Sequence, residues 1–206
     1  PGHRCRRKAA AVSERVLVHG VAVAGMATLK ALVARGYDVV ASDDRVDASK
    51  RSAVADLGVE LFEAPDHVTL KSLVERVDII APAPGVPETH QLFALAAEHR
   101  RVVMTELDLA YEWESRREGG PRPMIAVTGT DGKTTTVNMV EAILTSADRR
   151  TVSCGNTEIP LVEALDLDVD SFVVEATSFR LAFVETFRAE ASEWLNLAPD
   201  HLDWHR

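Results

Sequence analysis

The stretch Val127–Thr136, VTGTDGKTTT, places two glycines and a lysine between an apolar run and a segment with amphipathic spacing. A strand that ends in such a turn and leads into a helix directs several backbone N–H groups, and the positive end of the helix dipole, at one point. Gly129 and Gly132 permit close approach of an anion, Lys133 can reach phosphate oxygens, and the Thr134 hydroxyl is suited to bind Mg²⁺. The stretch predicts a loop that binds a nucleoside triphosphate. The strict GxxxxGK[ST] pattern is not met, because Val127 stands at its first glycine, so an ordinary glycine-rich turn is the alternative.

The residues after this loop predict a helix and two strands. From Lys133 onward, Val137, Val140 and Leu144 fall on one helical face. A polar turn follows, then SFVVEA (171–176) and SEWLNL (192–197) as strands. Residues 124–206 are therefore predicted to form a P-loop α/β domain.

The residues before the loop alternate short apolar runs with helical patterns. The runs are RVLVHG (15–20), DVVASD (38–43), VELFE (59–63), VDIIAPA (77–83) and RVVMT (101–105), and one of the intervening helices is predicted over Met26–Arg35. Such alternation is typical of a parallel sheet covered on both faces. We predict a Rossmann-like doubly wound domain over 15–112, a linker at WESRREGGPRP (113–123) and a basic tail over 1–14.

Composition excludes several functional classes. The chain has 206 residues, 46% of them hydrophobic, and a net charge of −9. That charge opposes a general affinity for nucleic acid, whose binding requires clustered Lys and Arg. Cys5 and Cys154 suggest neither a disulfide framework nor a metal site. No apolar run approaches the roughly 18 residues of a membrane span, so we expect a soluble, cytoplasmic protein without a membrane partner.

Gly20 to Gly25, followed by Asp43, forms a weak dinucleotide fingerprint. Strand, glycine turn, helix and a later acidic residue would favour NAD and a Rossmann oxidoreductase. Ala22 replaces the middle glycine, which hinders approach of a pyrophosphate, so a nicotinamide dinucleotide is disfavoured.

Four motifs of the second half resemble the Mur ligase superfamily, ATP-dependent enzymes that join amino acids to a carboxylate. They are VTGTDGKTTT, CGNTEIP (154–160), VVEATSFRL (173–181) and LNLAPDHLDWH (195–205). In the first half, HGVAVAGMA (19–27), ASDDR (41–45), APAPGVP (81–87) and TELDLA (105–110) resemble the actinobacterial type of the branch that adds D-glutamate to UDP-N-acetylmuramoyl-L-alanine. The resemblance implies an amide-forming ligase of peptidoglycan precursor synthesis, with ATP and Mg²⁺ as cofactors and those two molecules as substrates.

The resemblance also implies site residues. Lys133, Glu175 and His201 would be catalytic, with Thr134 and Glu175 binding one Mg²⁺ and His201 a second. The ATP-binding residues would be Gly129, Thr130, Asp131, Gly132, Lys133, Thr134 and Thr135. The nucleotide substrate would be contacted by Val23, Ala24, Asp43, Asp44, Gly85, Asn156 and Thr177.

Several positions depart from the pattern of the superfamily. Asp131 replaces an asparagine and adds a negative charge beside a polyanion, Thr177 and Arg180 replace Ser and Gln, and Glu158 replaces a glycine. The superfamily carries a further lysine and a third domain after the His201 segment, so we expect the chain to be a fragment of a longer ligase. Another Mur-type or folylpolyglutamate-like ligase, and a non-catalytic nucleotide-binding fragment, are the alternatives.

Overall fold

The computed structural model describes residues 14–202 and residue 204. The described residues form two parallel β-sheets with helices packed against them. The first sheet and its helices comprise β1 (Arg15–His19), α1 (Val23–Ala34), β2 (Asp38–Asp43), α2 (Ala48–Asp56), β3 (Glu60–Glu63), α3 (His67–Glu75), β4 (Ile79–Pro82), α4 (Gln91–Glu98), β5 (Val102–Val103) and α5 (Glu106–Ser115). The second comprises β6 (Met124–Thr128), α6 (Lys133–Ser146), β7 (Thr151–Gly155), α7 (Leu161–Ala164), β8 (Ser171–Glu175), α8 (Ser178–Leu181) and β9 (Ala191–Trp194). The predicted α/β class is confirmed, whereas the predicted domain bounds stay a prediction.

The first sheet has the strand order β3-β2-β1-β4-β5. Its central strand β1 is apolar throughout its middle, and Val16, Leu17 and Val18 are fully buried. The chain winds to one side of β1 through β2 and to the other side through β4, so the strand order reverses there. In open α/β sheets ligands bind at such a reversal, beyond the carboxyl ends of the strands.

The second sheet has the order β7-β8-β6-β9. β6 pairs with β8 on one side and β9 on the other, so that the loop after β6 lies between the ends of both neighbours. Phe172, Val173 and Val174 of β8 are fully buried. The carboxyl ends of β6, β8 and β9 therefore lie side by side at one edge of the second sheet.

Three local predictions differ from the structure. The segment predicted as a polar turn contains β7, an edge strand whose first three residues are only half-buried, so it lacks the continuous apolar run of a central strand. Helix α1 begins at Val23 instead of Met26. Gly25 lies in its first turn, where a Cβ would come 1.8 Å from the Gly20 carbonyl oxygen, so glycine allows the helix to pack closely on the turn after β1. Helix α5 begins at a capping box of Thr105 and Asp108 and runs to Ser115, into the predicted linker, where the buried Glu114 of its last turn pairs with Arg122.

Buried ion pairs join the first sheet's helices to the second half. Arg122 pairs with Glu114 of α5 and also donates to the carbonyl oxygens of Leu165 and Leu167. Arg180 of α8 pairs with Glu106 at the start of α5, and both side chains are buried. These contacts hold the two sheets against each other.

Of the predicted basic tail, all but Glu14 lies outside the described residues, as does Cys5. None of the helices in the described part of the chain has both the length and the apolar character that crossing a membrane would require.

Candidate active site

The loop between β6 and α6 forms the floor of the candidate site. Gly132 is the N-cap of α6 at φ 84°, in the left-handed region that glycine adopts readily, and no side chain caps this end of the helix. Gly129 lies against the segment that follows β9. A Cβ on Gly129 would come 3.1 Å from the Asn196 backbone nitrogen. The first amides of α6 therefore face the open end of the loop, as anion binding requires.

Lys133 lies over the same loop. Its ammonium donates to the carbonyl oxygens of Gly129 and Thr130, both at 2.7 Å. A half-buried ammonium held beside a helix N-terminus concentrates positive charge at one point.

Glu175 ends the buried strand β8 and is 2% exposed. Its Oε2 accepts a hydrogen bond from the Thr134 hydroxyl at 2.7 Å, and its Oε1 accepts one from the Asn156 side-chain amide at 3.1 Å. The Glu175 backbone carbonyl also accepts from the Asn156 N–H. A hydroxyl and a carboxylate oxygen are thus adjacent at the loop, which is a suitable pair of ligands for a hard cation such as Mg²⁺.

His201 lines the same cleft as Glu175. Its ring packs on Phe179 at a centroid distance of 4.7 Å, and its Nε2 lies 3.5 Å from Asp200 Oδ2. The backbone of His201 is in the left-handed region at φ 49°. One cleft contains Thr130, Asp131, Gly132, Lys133, Thr134, Thr135, Asn156, Glu175, Thr177, Phe179, Asp200 and His201. Every residue predicted for ATP, for Mg²⁺ and for catalysis lines this cleft except Gly129, which lines the adjoining one.

Thr177 lies where the two clefts meet. Its Oγ1 is buried and has no hydrogen-bond partner among the described residues. Because an unpaired buried hydroxyl is unfavourable, this atom is suited to bond a ligand.

Asn196 is a site residue that sequence reasoning did not select. Its Oδ1 accepts from the backbone N–H groups of Thr130 and Asp131, and its Nδ2 donates to the Asp131 carbonyl. The side chain therefore holds the phosphate loop from the segment that follows β9. The asparagine at the start of the LNLAPDHLDWH motif was the available signal.

The predicted nucleotide-substrate residues of the first half lie at the carboxyl edge of the first sheet. Asp43, at the end of β2, is 6% exposed and accepts from the N–H groups of Val21 and Arg45, at 2.7 Å each, and from Lys50 Nζ at 3.0 Å. Burial raises the pKa of Asp43, but these hydrogen bonds and the Lys50 charge outweigh it, so the net pKa is lowered. Asp43 consequently orders the turn after β1.

The remaining predicted residues of the first half are more open. Val23 is exposed and Ala24 half-buried in the first turn of α1, Asp44 is exposed after β2, and Gly85 is exposed in the loop after β4. Glu88 of that last loop lines the same cleft as Gly129 and Lys133. The first half thus reaches the phosphate-loop side of the molecule through the loop after β4.

A chain with two parallel sheets and a glycine-lysine loop between β6 and α6 is similar to the Mur ligases. Residues 127–206 match a family model described as the Mur ligase middle domain, which confirms the predicted resemblance to the superfamily. UDP-N-acetylmuramoylalanine–D-glutamate ligases from Mycolicibacterium vanbaalenii and Streptomyces coelicolor are 38% and 36% identical to the chain, over 92% and 93% of its length. The chain spans 38% and 41% of the length of those two relatives.

Solved structures support the same fold. The chain matches UDP-N-acetylmuramate:L-alanyl-gamma-D-glutamyl-meso-diaminopimelate ligase from Neisseria meningitides with a TM-score of 0.57 and 15% identity, over 95% of this chain and 64% of that one. It matches UDP-N-acetylmuramate-alanine ligase from Thermotoga maritima with a TM-score of 0.53 and 20% identity, over 93% and 43%. At these identities the likeness concerns the fold alone.

Proposed function

We propose that this chain carries the nucleotide-substrate and ATP sites of a ligase that joins D-glutamate to UDP-N-acetylmuramoyl-L-alanine in peptidoglycan precursor synthesis. The observation that carries the proposal is the common cleft of Lys133, Glu175 and His201 at the start of α6. The names of the relatives that are 36–38% identical support this choice of substrates. Because the reaction consumes ATP, we place it in the cytoplasm.

The proposed reaction brings two anions together. The substrate carboxylate oxygen attacks the γ-phosphorus of ATP, the bond to the β-phosphate oxygen breaks, and an acyl phosphate and ADP result. The neutral amine of D-glutamate then attacks the acyl carbon, the bond from that carbon to the phosphate oxygen breaks, phosphate leaves with the bonding electrons, and the nitrogen releases one proton to water. Such a site needs positive charge where the transferring group's negative charge is spread, and Lys133 with the first amides of α6 would supply it.

Thr134 and Glu175 fit the first Mg²⁺ because their oxygens are adjacent, 2.7 Å apart, at the mouth of the loop. His201 would hold a second ion beside Asp200. When bound, Mg²⁺ would offset the charge of the phosphates. Asn156, whose amide is held by Glu175, would orient the substrate carboxylate, and the buried Thr177 hydroxyl would bond the substrate.

The first half would hold the UDP part of the substrate. Asp43 would order the turn that includes Val23 and Ala24, leaving the exposed Asp44 and Gly85 to contact uracil. Because the hydrogen bonds of Asp43 are buried, they support a role in positioning the turn. They favour that role more than a direct contact with the substrate.

The phosphate loop is tested by calorimetry of Mg²⁺·ATP binding to the 206-residue chain. We expect Lys133→Ala to weaken binding by about ten- to hundredfold, because a charge-assisted hydrogen bond contributes about 1.5–3 kcal/mol. The matched control is Lys71→Ala, which removes a lysine of α3 that is paired with Glu98 of α4. Equal affinities for the two variants would contradict the site.

The reaction is tested by phosphate release with UDP-N-acetylmuramoyl-L-alanine, ATP and Mg²⁺. Release that depends on D-glutamate supports the proposed ligase. Release with another amino acid, or with a folate in place of the UDP substrate, favours a sibling ligase. Binding of both nucleotides without release favours a nucleotide-binding module, and binding of NAD(P)H would favour an oxidoreductase.

A further inference from the structure

Three potential metal ligands meet at the carboxyl edge of the first sheet: His19, Asp44 and His90. His19 is the last residue of β1, Asp44 directly follows β2, and His90 is the N-cap of α4 after the loop that follows β4. β2, β1 and β4 are parallel neighbours, so the ends of all three strands lie side by side. The sheet order therefore gathers three side chains that are far apart in the sequence.

Their distances suit a small tetrahedral ion. His90 Nε2 lies 3.2 Å from Asp44 Oδ2, His19 Nε2 lies 3.9 Å from Asp44 Oδ1, and one ligand atom of each residue lies within 4.8 Å of the others. Two ligands at about 2.0–2.2 Å from a tetrahedral ion are about 3.3–3.6 Å apart. The His90–Asp44 separation is close to this range, whereas His19 would have to move toward Asp44 on binding an ion.

His19 is held in a fixed position. Its side chain is 2% exposed. Its Nδ1 is hydrogen-bonded to Ser42 Oγ at 2.8 Å. When Nδ1–H donates to the serine, the Nε2 lone pair faces Asp44. Metal-binding histidines commonly have such a partner on the second ring nitrogen.

His90 is stacked on His19 with ring centroids 4.6 Å apart, and its Nδ1 accepts from the Leu92 N–H at 3.2 Å. In this tautomer the ring proton is on Nε2, directed at Asp44. Binding of an ion at Nε2 requires the proton to move to Nδ1, so the bond from Leu92 is given up. The coordination of His90 therefore replaces one weak helix-capping bond.

We propose that His19, Asp44 and His90 form a site for a divalent transition-metal ion of the Zn²⁺ type, with three protein ligands and an open fourth position. Two imidazoles and one carboxylate favour this class over Mg²⁺, which prefers oxygen ligands. The site is separate from the pair formed by Thr134 and Glu175 at the phosphate loop, but it shares Asp44 with the proposed uracil contact, so a bound ion and the UDP substrate would compete for that carboxylate.

The test is titration of the chelator-treated 206-residue chain with ZnSO₄, followed by calorimetry, and with CoCl₂, followed by visible absorption. Asp44→Asn removes an exposed carboxylate, and His90→Asn removes an imidazole while retaining a residue that caps helices well. We expect each to weaken Zn²⁺ binding at least about tenfold and to remove the Co²⁺ absorption of a tetrahedral site. Ser42→Ala, which leaves His19 without its partner, should weaken binding about tenfold or more.

A control variant separates this site from other histidines. His67→Asn removes an exposed histidine on α3. It should leave the Zn²⁺ affinity and the Co²⁺ spectrum unchanged. Absence of Zn²⁺ binding by the parent chain overturns the proposal, as does binding that Asp44→Asn and His90→Asn leave intact.

Discussion

Single charged residues at the phosphate loop decide how it can bind an anion. Glu175 is buried with both carboxylate oxygens bonded, to Thr134 and to Asn156, whereas Asp131 lies exposed on the loop. The buried carboxylate is oriented by its partners, while the exposed one contributes mainly its charge. Neutralising Glu175 and neutralising Asp131 are therefore expected to change the affinity for ATP in opposite directions.

Replacing Asp131 should strengthen ATP binding. Asp131→Asn removes a negative charge next to the phosphates, and because the side chain is exposed the gain should be about 0.2–1 kcal/mol, or up to about fivefold in affinity. Calorimetry at low and high salt measures the gain, which should shrink as salt screens the charge. Glu118→Gln, an exposed acid far from the loop, is the control. Weaker ATP binding by Asp131→Asn would show that the aspartate takes part in the site.

Replacing Asp43 should change the acid stability of the protein. The pKa of Asp43 is lowered in the folded state, so its contribution is present above the ordinary aspartate pKa of about 3.9 and is lost as pH falls through the lower, folded value. We expect Asp43→Asn to reduce the free energy of unfolding by about 1.5–3 kcal/mol at neutral pH. Urea unfolding should show this difference narrowing below about pH 4. The exposed Asp56→Asn should show neither effect, and a difference for Asp43→Asn that does not vary with pH would contradict the assignment.

At the scale of elements, helix α5 is the connection between the two sheets. Glu106 at its start pairs with Arg180 and accepts from the Val162 N–H, and Asp108 accepts from the backbone N–H groups of 185–187. Burial raises the pKa of Glu106, and the Arg180 charge counteracts it. Arg180, a departure from the glutamine of the superfamily motif, therefore has a structural partner in this chain.

Breaking this pair should destabilise the fold. Arg180→Gln would leave the Glu106 carboxylate buried without its counter-charge, at a cost of about 3–5 kcal/mol in the free energy of unfolding. The double variant Glu106→Gln with Arg180→Gln should lose less than the sum of the two single variants, because neither charge is left alone. Urea unfolding of the parent, the two single variants and the double variant forms a double-mutant cycle. Arg116→Gln, which breaks an exposed pair with Glu112 of α5, is the control. Additive losses would mean that the two side chains act independently.

At the scale of the whole molecule, the phosphate-loop cleft lies at the second sheet and the turn after β1 lies at the carboxyl edge of the first. Glu88, in the loop after β4, lines the adjoining cleft with Gly129 and Lys133, and Pro82 and Ala83 pack near Phe179 and Arg180. A single substrate could therefore extend from the first sheet to the second. This arrangement depends on the contacts of α5, since they set where the two carboxyl edges lie.

Much of the α/β order was predictable from local patterns. Apolar runs separated by amphipathic segments identified β1, β2, β4, β6 and β8, and the glycines of Val127–Thr136 marked the turn into α6. β7 was missed because this edge strand has no continuous apolar run. The capping box of Thr105 and Asp108 at the start of α5 was a local signal that the sequence did contain. Asn196 was missed because its role consists of bonds to a loop 65 residues away.

By itself, the sequence determined the type and order of most elements and the position of the glycine-lysine turn, because apolar periodicity and glycine conformation act between neighbouring residues. Only the tertiary structure decided that Arg180 meets Glu106, 74 residues away, and that His19, Asp44 and His90 share one edge. These long-range contacts follow from strand order and from packing between the sheets, and local propensity specifies neither of these.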